Sequence, residues 1–390
     1  MAKALDIWPA NLLINIRSDL DPENWDDIVA ALGHRDRIAG IEMTCRTMPQ
    51  LERCTAVMQE PFPVLRALSF RYVENDRDAP PVVLGALLGG SAPRLQAITL
   101  WRVPFPTLPE LLLSTKDLVK LNLDKITSAG YISLEALATC LSMLKGLEHI
   151  GVGFQSVNSF PSLTNRSPPP LTRAVLPALK TFVFEGVSEY SEDLIARIDA
   201  PLLRSFSLQF FYQPILDIPQ VPQFLRWVEN FKPPLTADID LLDYAIDASL
   251  LSPGCNFFLR LHCPWLFRQL LLLEQIFTQF LPHTSHVHHL KLNKEYTSEP
   301  EQQDCALWLG FLHPFTAVQV LDVTGDEFGV YVAYILSELT VLRAAEVLPM
   351  LHTVVFHGLE QIKPMVTPVL RPFIDARMLS DRPVAVSFDA

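Results

Sequence analysis

One pattern of apolar positions recurs along the chain: an apolar residue, two variable residues, and then two apolar residues separated by one other. It reads Pro63-Val-Leu65-Arg-Ala-Leu68-Ser-Phe70 in one copy. The alternation that ends each copy predicts a β-strand with one buried face. The ten clear copies place their apolar residues at Ile38/Ile41/Met43, Leu65/Leu68/Phe70, Leu95/Ile98/Leu100, Leu118/Leu121/Leu123, Leu147/Ile150/Val152, Leu179/Phe182/Phe184, Leu203/Phe206/Leu208, Val287/Leu290/Leu292, Val318/Leu321/Val323 and Leu351/Val354/Phe356.

Two weaker copies, Thr236/Ile239/Leu241 and Asn256/Leu259/Leu261, occupy the long gap between the seventh and eighth clear copies. Between copies the apolar spacing lengthens to that of a helix with one buried face. The clearest such stripes are Leu134/Leu137/Leu141/Leu144, Val221/Phe224/Leu225/Val228 and Tyr331/Ile335/Leu339/Leu342.

Local signals refine two of the predicted helices. Ser191 precedes Glu192 and Asp193, and it is therefore predicted to cap a helix that begins with these acidic residues. Pro106 and Pro109 restrict the helix that follows the third copy to a short one or a 3₁₀ turn.

A strand followed by a helix cannot bury its apolar face alone, and a chain of such units is typical of a solenoid. We predict an α/β fold: an irregular leucine-rich-repeat horseshoe with parallel strands on the concave face and helices on the convex face. One solenoid is expected over 1–390, with an N-terminal cap and first repeat at 1–60, a surface loop at 155–173 and a C-terminal cap at 358–390.

The copies depart from the usual leucine-rich-repeat phrase at one position. That phrase continues to an asparagine or cysteine whose side chain bonds to neighbouring turns, whereas this chain has apolar residues there. We therefore predict apolar filling by Val73, Val103, Ile126, Val187, Phe211 and Leu359.

Composition excludes several classes of function. The net charge of −12 and the lack of a Lys/Arg cluster argue against nucleic-acid binding. The most apolar helical stretch, Leu266–Leu273, is too short to span a bilayer, and the N-terminus has no secretory pattern. The cysteines are too widely spread for a disulfide framework, which favours an intracellular protein, cytoplasmic or nuclear.

Strand residues that alternate with the buried positions would face outward, and they are mixed in charge, as a protein-binding surface would be. Trp101 is the most notable, since Trp is enriched in interface hot spots. The alternative is that Trp101 folds over the strand end against Pro104 or Phe105. The predicted protein-binding residues are Arg71, Trp101, Lys120, Asn122, Asp124, Glu185, Gln209, Asn293 and His357.

Several phrases of the chain resemble the F-box-associated leucine-rich-repeat proteins of mushroom-forming fungi. They include Ala4-Leu-Asp-Ile-Trp-Pro9, Leu88-Gly-Gly-Ser-Ala-Pro-Arg-Leu95 and Gly186-Val-Ser-Glu-Tyr-Ser-Glu-Asp-Leu194. The resemblance implies a repeat region that selects a protein client for a cullin-type ubiquitin ligase. The family's F-box would precede residue 4, so a Skp1-type adaptor is expected as a partner only if an F-box lies upstream.

Catalytic motifs give little support to an enzyme. Gly151-Val-Gly153 follows a predicted strand, but Ser156 replaces the third glycine of a dinucleotide loop. The histidines His283, His286, His288 and His289 are the best metal candidates, yet no cysteine or carboxylate set completes a tetrahedral site. We expect His283 and His286 in a solvent-facing loop, His289 on the concave face, and no cofactor.

The sequence therefore predicts a non-catalytic protein–protein interaction module, by resemblance the client-recognition region of an F-box receptor. Two alternatives stay open: a leucine-rich-repeat scaffold or decoy unrelated to ubiquitination, and a metalloenzyme built on the histidines. The client itself is unknown.

Overall fold

The computed structural model describes residues 12–16, 25–73, 85–160, 173–294, 305–343, 347–357 and 363–389. They belong to two compact units, Met1–Leu202 (the first unit) and Leu203–Ala390 (the second unit). Most of the predicted 155–173 loop, and parts of both predicted caps, lie outside the described residues. Each unit combines a large, mostly parallel sheet with helices, which confirms the α/β class.

Within its described residues, the first unit builds its main sheet from strands in chain order, each paired with the next in parallel. The short strands β7 and β9 pair separately. The strands are β1 Leu12–Ile16, β2 Ile38–Cys45, β3 Ala67–Tyr72, β4 Ala97–Trp101, β5 Lys120–Ile126, β6 His149–Phe154, β7 Ala174–Val175, β8 Thr181–Gly186 and β9 Ile198–Asp199.

The recurring phrase sets the register of this sheet. Its central apolar residues lie side by side, as Ile41, Leu68, Ile98, Leu121, Ile150 and Phe182. Its last apolar residues form a second row two places further along. All of these side chains are buried, and burial of each contributes roughly 1.5–3 kcal/mol.

Helices of the first unit follow the predicted spacing in most cases. Leu134, Leu137, Leu141 and Leu144 are buried, and the Ser133 hydroxyl caps their helix by accepting from the Ala136 amide at 3.2 Å. The helix that contains Pro109 is short, as predicted. The described helices are α1 Trp25–Leu32, α2 Met48–Val57, α3 Leu108–Ser114, α4 Leu134–Met143 and α5 Ser188–Ile195, with 3₁₀ turns at Leu87–Gly90, Ser128–Gly130 and Val157–Ser159.

The predicted cap at Ser191 is wrong. Ser191 lies inside α5, where it is buried and its hydroxyl donates to the Ser188 carbonyl at 3.0 Å. Because that hydroxyl bonds backwards within the helix, it is not available to the first turn, and the helix begins four residues earlier than expected.

The prediction of apolar filling at the asparagine position holds only in part. Val187 is buried, whereas Val103, Ile126 and Phe211 are half-buried and Leu359 lies outside the described residues. Val73 contradicts it, with 46% of its surface exposed. Near this level, the first unit is packed instead by a cluster of aromatic rings from Tyr131, Phe154, Phe160, Phe184 and Tyr190.

The second unit contains a break in the parallel pattern. From one side, its strands run β10-β13-β12-β11-β14-β15-β16-β17, and β12 is antiparallel to both of its neighbours. The other pairings are parallel. The strands are β10 Ser205–Phe210, β11 Thr236–Leu241, β12 Ala245–Ser252, β13 Cys255–His262, β14 His289–Lys294, β15 Val320–Thr324, β16 Thr353–His357 and β17 Ala385–Asp389.

This arrangement corrects the prediction for the two weaker copies. Both are strands, but β13 lies beside β10, and β11 lies beside β14, so the chain visits these positions in reverse. The intervening β12 was missed. Three residues join β11 to β12 and two join β12 to β13, and such short links can connect only antiparallel strands.

Helices of the second unit also follow the predicted stripes. Val221, Phe224, Leu225 and Val228 are buried, as are Tyr331 and Ile335. The side chains of Leu339 and Leu342 lie outside the described part of the chain. The helices are α6 Gln220–Leu225, α7 Leu266–Gln279, α8 Leu281–Thr284, α9 Cys305–Leu312, α10 Asp326–Arg343 and α11 Lys363–Leu379. None of the described helices is long and apolar enough to cross a membrane.

Candidate functional site

The strand residues that alternate with the buried rows form what we call the outward face of each unit. In the first unit, Arg71 of β3, Trp101 of β4 and Asp124 of β5 are register neighbours on this face. Arg71 is exposed, whereas Trp101 and Asp124 are half-buried. Strand register therefore brings together three residues that the sequence predicted for protein binding.

Two more predicted residues join this group through polar contacts. The Asn122 amide donates to Asp124 Oδ2 at 2.6 Å, and Lys125 Nζ donates to Glu185 Oε1 at 2.7 Å. Burial raises the pKa of the Asp124 carboxyl, and the Asn122 hydrogen bond opposes this shift. The group presents carboxylates, an amide and a cation on β5 and β8, beside the register neighbours Arg71 and Trp101.

Gly151 and Gly153 explain how these side chains fit together. A Cβ at Gly151 would lie 2.0 Å from Asn122 Oδ1, and one at Gly153 would lie 3.3 Å from Asp124 Oδ1. The two glycines of β6 therefore leave room for the polar side chains of β5 to lie across the neighbouring strand. This spatial role accounts for a pair that first suggested a nucleotide loop.

Lys120 lies apart from this group. It is exposed at the start of β5, in register with Ala97 and His149, four residues before Asp124. The structure places it on the same strand as Asn122 but in a separate row of the outward face.

In the second unit, Gln209 of β10 is in register with Arg260 of β13, and its amide lies 3.4 Å from His262 Nε2. Arg260 in turn forms a paired contact with Asp247 of β12, from Nε to Oδ1 at 2.6 Å and from its terminal nitrogen to Oδ2 at 2.5 Å. Asp247 is buried, so this cation supplies the partner that a buried carboxylate requires.

Asn293 connects two carboxylates that sequence reasoning missed. Its amide nitrogen donates to Asp238 Oδ1 at 2.8 Å and to Asp240 Oδ1 at 2.7 Å. Burial, followed by the charge of Asp240, raises the pKa of Asp238. The alternation Asp238-Ile-Asp240 in β11 was the available signal, because it places both carboxylates on one face of a strand.

His357 belongs to a cluster of two imidazoles around one carboxylate. His289 Nε2 lies 2.7 Å from Asp322 Oδ2, and His357 Nε2 lies 3.5 Å from the same oxygen. The strands β14, β15 and β16 position the three side chains in adjacent rows. Such a cluster can offer hydrogen bonds of either sense to a bound partner.

The four-histidine cluster of the sequence is divided in the structure. His283 lies in α8, buried against Phe231, and burial lowers its pKa. The prediction of a solvent-facing His283 is therefore wrong, whereas His286 and His288 are exposed and His289 lies on the outward face. Within the described residues, no group of three or more His, Cys, Asp or Glu side chains has metal-binding geometry.

No protein-family model and no curated protein matches the chain. Function is therefore inferred from the residues of the two outward faces and from the family resemblance of the sequence.

Proposed function

We propose that this chain is a non-catalytic protein-recognition module, and that its repeats form one irregular leucine-rich-repeat horseshoe whose concave side carries the two outward faces. The observation that carries the proposal is that the three apolar residues of each clear copy are buried, whereas the alternating residues on the outward faces are mostly polar and together carry charges of both signs. By resemblance, the module would select the client of an F-box type ubiquitin ligase.

Mixed charge on the outward faces supports a protein partner over other ligands. In the first unit, Arg71 and Lys125 lie among Asp124 and Glu185, and Lys120 lies in another row of the same face. These carboxylates would repel a polyanion, and a bound lipid tail would remove water from charged groups at a cost in free energy. A folded protein surface can match charges of both signs.

Client recovery tests the proposal directly. The tagged chain serves as bait in extracts of a mushroom-forming fungus, chosen by the resemblance, with quantitative mass spectrometry of bound proteins. Trp101→Ala and Glu185→Arg should each reduce recovery of a specific client at least roughly tenfold, as hot-spot changes do. Glu110→Arg, an exposed charge reversal on α3, is the matched control.

Equal recovery by all three variants would remove the outward face of the first unit from the binding site. The ligase role has its own test, because a Skp1-type adaptor should copurify with the full-length gene product. Its absence would leave a scaffold or decoy. Stoichiometric zinc in the purified chain, by elemental analysis, would instead favour the metalloenzyme.

A further inference from the structure

A cluster of exposed aromatic side chains lies outside the two outward faces, at one edge of the sheet of the second unit. Strands β10, β11 and β13 point in the same direction, since β12 is antiparallel to both of its neighbours and β10 is parallel to β13. Their carboxyl ends therefore share an edge. The loops there carry Tyr212, Tyr244 and Trp265, and the first turn of α7 carries Phe267; these side chains are exposed by 39%, 75%, 49% and 46% respectively.

The loops that hold these rings are firmly tied together. Gln269 of α7 is 2% exposed, and its amide donates to the carbonyls of Leu242 at 2.7 Å, Cys263 at 2.9 Å and Ala245 at 3.3 Å. It therefore joins the β11–β12 turn to the segment after β13. The Cys263 amide also donates to the Tyr244 carbonyl at 2.9 Å.

Two of the four rings form a pair, and the backbone brings the other two to the same edge of the sheet. The centroids of Tyr212 and Trp265 are 6.3 Å apart in an edge-to-face arrangement, and Phe267 follows Trp265 by two residues. Trp and Tyr side chains lose little conformational entropy on binding and dominate interface hot spots. Exposed aromatic rings on backbone segments that are fixed by hydrogen bonds are typical of a binding surface.

Charges around the rings indicate the chemistry of the partner. Asp243 and Glu327 are exposed, and Lys294 lies within electrostatic reach of both, but Lys294 is half-buried and burial lowers its pKa. Arg260 is engaged with Asp247. The charged groups here that are exposed, Asp243 and Glu327, are therefore acidic, whereas the cations Lys294, Arg260 and Arg268 are half-buried.

Arg268 shows that one of these rings accepts a cation. Its guanidinium carbon lies 5.5 Å from the centroid of Phe267, within the range of a cation–π contact. Further guanidinium or ammonium groups could therefore stack on the more exposed Tyr244 and Trp265, with Asp243 as their counter-charge.

We propose that this aromatic edge, formed by Tyr212, Tyr244, Trp265, Phe267 and Asp243, binds a basic peptide segment of a protein partner through stacking of its Arg or Lys side chains. The site is separate from the outward faces, so it stands or falls independently of the client-binding proposal.

Selection from a phage-displayed library of random peptides tests this. The full chain is immobilised, and binders are counter-selected on the Tyr244→Ala/Trp265→Ala double variant. Enrichment of Arg- or Lys-containing peptides is expected. A fluorescein-labelled copy of one such peptide should bind the single variants Tyr244→Ala and Trp265→Ala roughly tenfold or more weakly, and added salt should weaken binding further.

Matched variants separate recognition from folding. Trp227→Ala removes a Trp of equal exposure, 49%, from the connection that leads into β11, and its affinity should equal that of the unmodified chain. Trp265→Phe should recover part of the lost affinity, and circular dichroism should show all variants folded. The proposal would be overturned if the selection enriched proline-rich or acidic peptides, or if it enriched no peptides at all.

Discussion

The two units use the same repeated phrase but assemble it differently. In the first unit, the described strands β1 to β6 and β8 follow one another in chain order. In the second, the chain leaves β10, passes to β11, and returns through β12 to β13 before it continues to β14. Burial of the apolar rows is nevertheless the same in both.

This difference separates two properties that are easily treated as one. Which side chains are buried is a local property of the alternating phrase, and it holds wherever a strand covers a core. Which strand lies beside which depends on the links. The long links of the first unit allow parallel neighbours, whereas the short links around β12 allow only hairpins.

Substitution of buried aromatic residues should produce the largest loss of stability, and this loss should be equal in the chain-order strands of the first unit and the reversed strands of the second. Phe182 of β8 and Phe257 of β13 are 0% and 2% exposed. Phe182→Ala and Phe257→Ala should each lower the free energy of unfolding by roughly 3–5 kcal/mol, because each leaves a cavity. Urea unfolding followed by circular dichroism measures this.

Val183 provides the control, since it follows Phe182 but is 42% exposed on the outward face. Val183→Ala should change stability by no more than roughly 0.5 kcal/mol. A similar loss for Phe182→Ala and Val183→Ala would contradict the division of the strand into two faces.

The next effect is specific to the reversed strands. Arg260→Ala leaves the buried Asp247 carboxylate without its paired cation. We expect a loss of about 1.5–3 kcal/mol, typical of a hydrogen bond to a charged group. Arg371→Ala is the control, because it removes an exposed pair with Asp375 four residues along α11 and should cost at most about 0.5 kcal/mol.

The repeated phrase predicted much of this fold. The three apolar residues of all ten clear copies are buried, and the stripes of α4 and α6 are confirmed. Burial is predictable because it follows from side-chain alternation and helical spacing, both of which are read within one short segment.

Strand order was not predicted, although signals for it exist. The phrase steps from Ile239 to Leu259 across a shorter interval than elsewhere, and Pro253-Gly254 is a typical turn between two strands. Interpretation of the chain as equal repeats in chain order leaves no place for the extra strand β12 and its two short links.

The sequence predicted which strand and which face carry the site residues, but not which of their side chains contact one another. Alternation placed Arg71, Trp101 and Asp124 on one face, and the register aligned them. The contact of Lys125 with Glu185 depends on side-chain reach across β6, and that of Asp238 with Asn293 depends on reach between the neighbouring strands β11 and β14. The aromatic edge depends on Gln269, which bonds to carbonyls of two different loops. This role could not be predicted from the sequence, because it requires that β11 and β13 end at the same edge of the sheet.

The hairpin turn offers a sharper test of the reversed strands. Gly254 has φ +107°, which L side chains rarely adopt, and a Cβ there would lie 3.0 Å from the Asn230 carbonyl oxygen. Gly254→Ala should therefore lower the free energy of unfolding by about 1–2 kcal/mol.

Gly146 is the matched glycine of the first unit. It precedes β6 in a turn without a positive φ, and a Cβ there would meet only the Leu118 carbonyl oxygen at 3.9 Å. Gly146→Ala should leave stability unchanged or slightly higher. If both substitutions were neutral in urea unfolding, the turn geometry assigned to the hairpin would be incorrect.

The smallest effect concerns the pH response of the two outward faces. Burial raises the pKa of both Asp124 and Asp238, so each contributes stability that is fully present below about pH 3.9 and is lost as pH rises through its folded pKa. Asp124→Asn and Asp238→Asn should therefore gain stability, relative to the unmodified chain, as pH increases from 3 to 7.

The two carboxyls differ in the neighbours that shift their pKa. The charge of Asp240 is the second cause of the raised pKa of Asp238, and it does not act on Asp124. Asp240→Asn should lower the pKa of Asp238 and leave that of Asp124 unchanged, as carboxyl carbon shifts in an NMR titration would report; an unchanged Asp238 would contradict the pairing of these carboxylates across Asn293.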